Sequence, residues 1–280
     1  MLKLQTPVTL DAAPVSISYS DRIVVVGSCF ADEIGGRLAA AGFRVLTNPF
    51  GTLYNPVSIG NAIARLSSGV PFSEEDVVKM GAGDGRFGSF WHHTSFARET
   101  PGAFLENANA ALAEASAFWK ECNRVIVTLG TAWAFKVDET GETVANCLKR
   151  PAAEFTRYRL TVAQTAAILH GLVQRNADKQ FVFTVSPIRH LADGAHGNQL
   201  SKSTLLLATE GLPYFPAYEI MMDELRDYRW WAEDMVHPSQ QAASHLCDRF
   251  IEWALPPCEW DRYEAQMKAW RHAQHRPMAD

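Results

Sequence analysis

Three short runs constrain this chain most: residues 22–26 (RIVVV), 124–129 (RVIVTL) and 181–185 (FVFTV). Each is rich in β-branched or aromatic residues and apolar throughout rather than alternating, so each strand must be covered on both faces. Each stops at a turn residue, Gly27, Gly130 or Ser186. Helical patterns separate them. Residues 31–41 carry Ile34 and Leu38 on one face and stop at Gly42. A second helix runs from Pro56 to about Leu66, with Asn55 as its cap. Residues 101–120 and 161–176 supply two more. Strands alternating with helices predict a parallel sheet with helices on both faces. Residues 44–47 and 214–220 add two strands, for an expected total of five. In such sheets the reactive residues gather in loops beyond the strands' carboxyl ends. Four loops fall there: 27–31, 48–55, 130–133 and 186–190.

The remaining segments attach to this frame. Residues 67–100 are rich in glycine and aromatics ("GAGDGRFGSFWHHTSF") and read as an insertion with a short hairpin. Glycines allow close backbone approach and the aromatics need something to cover, so the insertion is expected against the loop edge. His92 or His93 would then face the site. Residues 134–146 read as a β-hairpin turning near Gly141, 186–201 as a long loop, 203–210 as a helix and 238–254 as the last core helix. The tail, 256–280, reads as a surface helix that frays, anchored with its predecessor by Trp253, Trp260 and Trp270. All 280 residues are expected to form one domain.

Composition excludes several roles. A net charge of −5 without any lysine or arginine block argues against nucleic acid as a partner. Five scattered cysteines without a CxxC pair suggest neither a disulfide framework nor a zinc module. No apolar run reaches the roughly 18 residues of a membrane span, and the first residues lack a signal-peptide core. The expected setting is cytoplasmic, with no cofactor. A metal held by His92, His190 and Asp234 has no spacing motif behind it, so no metal is expected.

Two motifs carry chemistry. Gly27-Ser28-Cys29 closes a buried strand and opens a helix, where backbone N–H groups and the helix dipole favour an anion. Ser28 there is either a plain helix cap or a nucleophile. Cys29 is the rival nucleophile, because helix N-termini favour thiolates. In "WWAEDMVHPS", Asp234 and His237 are spaced to meet on one side of a turn. A nucleophile needs a base, and the base needs a carboxylate that fixes its tautomer.

The motif "GSCFA" (27–31), with "NPFGTLYNP", "LGTAWAF", "SPIRHLADG", "SKSTL" and "YFPAYEIMMDELRDYRWWAEDMVHPS", resembles the GSCFA-domain family, itself similar to the SGNH, or GDSL-like, hydrolases. The resemblance implies a three-layer α/β/α sandwich with a five-stranded parallel sheet. It implies Ser28, His237 and Asp234 as the catalytic residues, with Cys29 turned toward the core. It puts the oxyanion on the backbone N–H groups of Ser28 and Gly51. The usual Gly-x-Asn-Asp block reads Gly130-Thr131-Ala132-Trp133, so its asparagine donor is missing. Such a loss costs about 2.7–4 kcal/mol of transition-state stabilisation. Arg189 is the candidate replacement, its alternative being a structural pair with Asp193 or Glu219. His92, His93, Trp133 and His190 are candidates for binding substrate. The implied activity is a serine esterase or O-acyltransferase acting on an acyl ester, such as an O-acetylated carbohydrate. The competing reading is a non-catalytic glycan-binding module on the same scaffold.

Overall fold

The computed structural model describes residues 6–274. Four parallel strands form its central sheet: β1 (Arg22–Gly27), β2 (Arg44–Thr47), β5 (Arg124–Leu129) and β9 (Gln180–Val185), in the order β2-β1-β5-β9. Two lesser sheets interrupt the series. One is the hairpin of β3 (Val78–Lys79) and β4 (Phe87–Gly88). The other is antiparallel and runs β7 (Thr143–Val144), β6 (Trp133–Val137), β8 (Phe155–Arg159). Gly141, at φ 73°, turns β6 into β7.

Helices cover both faces of the central sheet. Along β1, Val24 and Val26 enter one core and Ile23 and Val25 the other, which is why the run is apolar without alternation. The first core is closed by α2 (Pro56–Ser68), α3 (Pro101–Glu121), α4 (Val162–Arg175) and α5 (Gly194–Ala208). The second is closed by α1 (Cys29–Ala40), a short turn α6 (Ala217–Glu219), α7 (Gln240–Ala254) and α8 (Trp260–Gln274). Caps fix several starts: the Asn55 side chain accepts from Ser58 N–H with Pro56 next in line, and Thr161 and Gln164 cap each other reciprocally.

The chain leaves β1 for β2 on one side and later returns to place β5 on the other. The crevice where strand order reverses therefore lies beyond Gly27 and Leu129. Gly27 is required there. Its φ is 138°, and a Cβ would lie 2.1 Å from the Thr128 carbonyl oxygen.

Four expectations are corrected. Residues 214–220 form no strand. Phe183 N–H donates to the Pro213 carbonyl and Phe215 N–H to the Phe183 carbonyl, a single bridge beside β9. Pro213 and Pro216 carry no N–H, so the ladder cannot extend, and the chain turns into α6. The expected loop over 186–201 already contains the start of α5 at Gly194; Gly194 and Gly197 mask its helical pattern. The strand β8 carries no apolar run, being largely exposed, and was not expected. In the tail, α8 is docked by Tyr263 and Met267, while Trp270 is exposed and anchors nothing; residues 275–280, where fraying was expected, lie outside the described residues.

Candidate active site

At the crevice, Ser28 and Cys29 exchange the positions expected of them. Ser28 is 0 % exposed. Its Oγ lies 3.0 Å from Thr128 Oγ1 and caps α1 by accepting from Phe30 N–H. Its own N–H donates to the Thr128 carbonyl. Hydroxyl and amide are thus both committed inside the fold. Cys29, the first residue of α1, is partly exposed rather than turned into the core. Burial, followed by the charges of Asp32 and Glu33, pushes its thiol up to about 11, against the opposing pull of Lys202. The register explains the exchange: a side chain at the strand's last pleat faces the neighbouring strand, and the next residue begins the helix.

The loop between Trp231 and Pro238 delivers the expected pair. Asp234 Oδ2 lies 2.6 Å from His237 Nδ1, and Asp234 Oδ1 accepts from the N–H groups of Val236 and His237. Those bonds hold the Asp234 carboxyl well below the usual carboxylate range. A ring nitrogen facing a carboxylate carries the proton, which leaves His237 Nε2 with its lone pair available as a base. Both side chains are half-exposed. Among the described residues no hydrogen bond joins His237 to Ser28 or to Cys29.

A cavity of about 460 Å³ opens beside His237. Tyr54, Trp133, Phe135 and Val144 give it an apolar wall, and Thr131, Arg157, His190 and His237 give it polar groups. Arg157 stacks 4.4 Å from the Trp133 ring and pairs with Asp193. Trp133 Nε1 and His190 Nε2 are buried without a partner among the described residues. Burial, then the neighbouring Lys202 charge, lowers His190 to about 4, so its ring is neutral at pH 7. Trp133 and His190 therefore stand where substrate contacts were expected.

Three expected site residues do other work. Gly51, at φ 78°, turns the loop after β2, and its N–H donates to the Asn48 carbonyl. Neither amide expected to hold an oxyanion, that of Gly51 or of Ser28, is free to do so. Arg189 braces the loop of the His–Asp pair. Its Nη2 donates to the Met235 carbonyl, its N–H donates to the Val236 carbonyl, and its guanidinium lies 3.9 Å from the Trp231 ring. It pairs with neither Asp193 nor Glu219. The insertion does meet the loop edge, since His93 N–H donates to the Phe50 carbonyl. Yet neither of its histidines lines the cavity. His92 is 1 % exposed among Phe50, Phe72, Phe96 and Phe104, and the His93 ring bonds Ser95 Oγ. Phenylalanines seal His92 more completely than solvent-facing polar groups could.

Lys202 is the residue that motif reading missed. It is 0 % exposed, and its Nζ donates to the carbonyls of Gly130 (2.7 Å) and Ser186 (2.8 Å), just past β5 and β9. Its neighbour Ser201 accepts from Ala132 N–H, so α5 holds the 130–132 loop by two consecutive side chains. The signal was a periodicity: Asn198, Ser201, Lys202, Leu205 and Ala208 share the buried stripe of α5.

A model of the GSCFA family matches residues 22–250. Among solved structures the chain is similar to the psychrotrophic esterase EstA from Pseudoalteromonas sp., crystallised with monoethylphosphonate as inhibitor. Identity is 13 % over 83 % of this chain and 95 % of that one, with a TM-score of 0.38. No curated protein matches the chain.

Proposed function

The chain belongs to the GSCFA family, and on that premise we propose that it is an acyl-transferring hydrolase working from the N-terminus of α1, with the Cys29 thiol as nucleophile and His237 as base. The observation that carries the reading is the Asp234–His237 pair, 2.6 Å apart, beside a cavity at the switch point of the sheet. Ser28 is the weaker nucleophile because its hydroxyl is buried against Thr128, whereas the thiol beside it has access. Catalytic hydrogen bonds tighten when substrate binds, so a pair not yet in contact remains competent.

The steps balance as follows. His237 Nε2 takes the thiol proton as sulfur attacks the ester carbonyl, forming the C–S bond of a tetrahedral oxyanion. Collapse breaks the ester C–O bond, and the imidazolium returns its proton to the leaving alcohol. Water, deprotonated by His237, then attacks the thioester, and the acid leaves as sulfur regains its proton; an alcohol in place of water gives transfer. Asp234 fixes the tautomer and stabilises the imidazolium. The aromatic wall of Trp133, Phe135 and Tyr54 suits an ester of a carbohydrate or another flat-faced alcohol, whose hydroxyls would meet the unpaired Trp133 Nε1 and His190 Nε2.

Incubation with p-nitrophenyl acetate, followed by mass spectrometry of trapped adducts, tests this. Turnover and an acetyl adduct on Cys29 are expected, both lost in Cys29→Ala and kept in Ser28→Ala. Fluorophosphonate labelling that disappears in Ser28→Ala would give the role to the hydroxyl instead. Neither turnover nor adduct, together with retention on a glycan array, would favour the binding module.

A further inference from the structure

The missing asparagine leaves a gap in the chemistry that Lys202 is placed to fill. An ammonium offers three N–H groups, and Lys202 uses two on the Gly130 and Ser186 carbonyls. It has no carboxylate partner among the described residues. A lysine so deeply buried without one is costly to charge. Two carbonyls and the Tyr218 ring, 5.6 Å from Nζ, offset part of that cost. The Gly130 carbonyl it binds belongs to the segment where the asparagine donor would stand, and Ala132 there cannot donate. The electrostatic neighbour of Lys202 is Cys29.

Resting on the acyl-transfer reading above, we propose that Lys202 is the cation that stabilises the anion formed at Cys29, a positioning residue acting through the sulfur in place of the absent asparagine. Two carboxylates on α1, Asp32 and Glu33, face the thiol and oppose ionisation. Lys202 comes from α5 on the other side. His190, the remaining titratable group near Lys202, is neutral at pH 7 and adds no charge. Burial lowers Lys202 to about 7, so its charge is available near neutrality and is reinforced by any negative charge on Cys29.

The test reads thiol ionisation rather than turnover, so it stands apart from failure of the hydrolase reading. Iodoacetamide alkylation of Cys29, followed by peptide mass spectrometry across pH 6–11 (about the range spanned by the groups involved), is compared in the intact protein, Lys202→Met and Lys202→Gln. Gln keeps donors for the two carbonyls without the charge. The alkylation midpoint is expected to rise by about one pH unit or more in both variants, the usual effect of removing a nearby opposite charge. Superimposable profiles would make Lys202 only a clasp between the ends of β5 and β9. Should neither variant fold, the Cε resonance of Lys202 in selectively labelled protein decides. Its titration midpoint should fall by about half a unit or more in Cys29→Ser; an unchanged midpoint overturns the proposal.

Discussion

His92 in the insertion and His190 at the sheet edge share an unusual state: both rings are neutral, and both keep a buried Nε2 without a partner among the described residues. Their surroundings differ in kind. Four phenylalanines enclose His92, and burial with the Arg65 charge lowers it to about 3. His190 lines a cavity it shares with His237 and Arg157, and Lys202 is part of its field. Burial and an unpaired nitrogen therefore do not mark a functional histidine by themselves. What separates the two is whether the wall around the ring opens onto space where other polar groups converge.

The largest expected effect lies on the edge side of that comparison. His237→Ala removes the base and should lower kcat/KM by about 10²–10⁴-fold. Its melting temperature should change little, because both members of the pair are half-exposed. Equal turnover in His237→Ala, measured with p-nitrophenyl acetate, would move the chemistry away from this edge. In the same assay His92→Phe should leave kcat/KM within about twofold, since the ring it replaces touches no cavity group.

Arg189 gives an intermediate effect that sharpens the edge side. Its guanidinium is spent on the Met235 carbonyl and the Trp231 face, so it shapes the loop that carries Asp234 and His237. A lysine reproduces neither the fork nor the stacking. Arg189→Lys should cost about 1 kcal/mol of stability and lower kcat on the order of tenfold by misplacing the imidazole. A large loss of kcat with an unchanged melting temperature would instead make the guanidinium a direct participant.

What the sequence made legible follows the same division. The apolar runs of β1, β5 and β9 identified their strands because both faces of each are buried, and Asp234 with His237 was legible because the two are local in sequence. The site's remaining members depend on contacts between distant segments. Lys202 is bound by carbonyls 72 and 16 residues away, which no spacing can announce. Ser28 and Cys29 differ by one residue of register, and only the pairing of Gly27 with Thr128 decides which side chain is buried. The fifth strand failed for a local reason, the two prolines around Tyr214, whose missing donors the apolar pattern hides.

The smallest effect concerns stability against pH, and it tests the insertion side. In the unfolded chain an ordinary histidine takes its proton near pH 6.5, whereas folded His92 resists it down to about 3. Between those values the unfolded state binds the extra proton, so stability is full above about pH 6.5 and falls as pH drops toward 3. The slope for one such group is about 1.4 kcal/mol per pH unit. His190, held to about 4, adds a slope of the same sign. His92→Phe removes one of the two. It also removes the bond between Nδ1 and Ser89 Oγ, a loss of about 1 kcal/mol at any pH. Thermal melts should therefore show the variant slightly less stable at pH 8, with the gap closing and then reversing as pH falls below about 5.5, where the removed slope outweighs the lost bond. Parallel melting curves across that range would mean that His92 accepts its proton within the fold, and the contrast between a sealed ring and an open one would no longer hold.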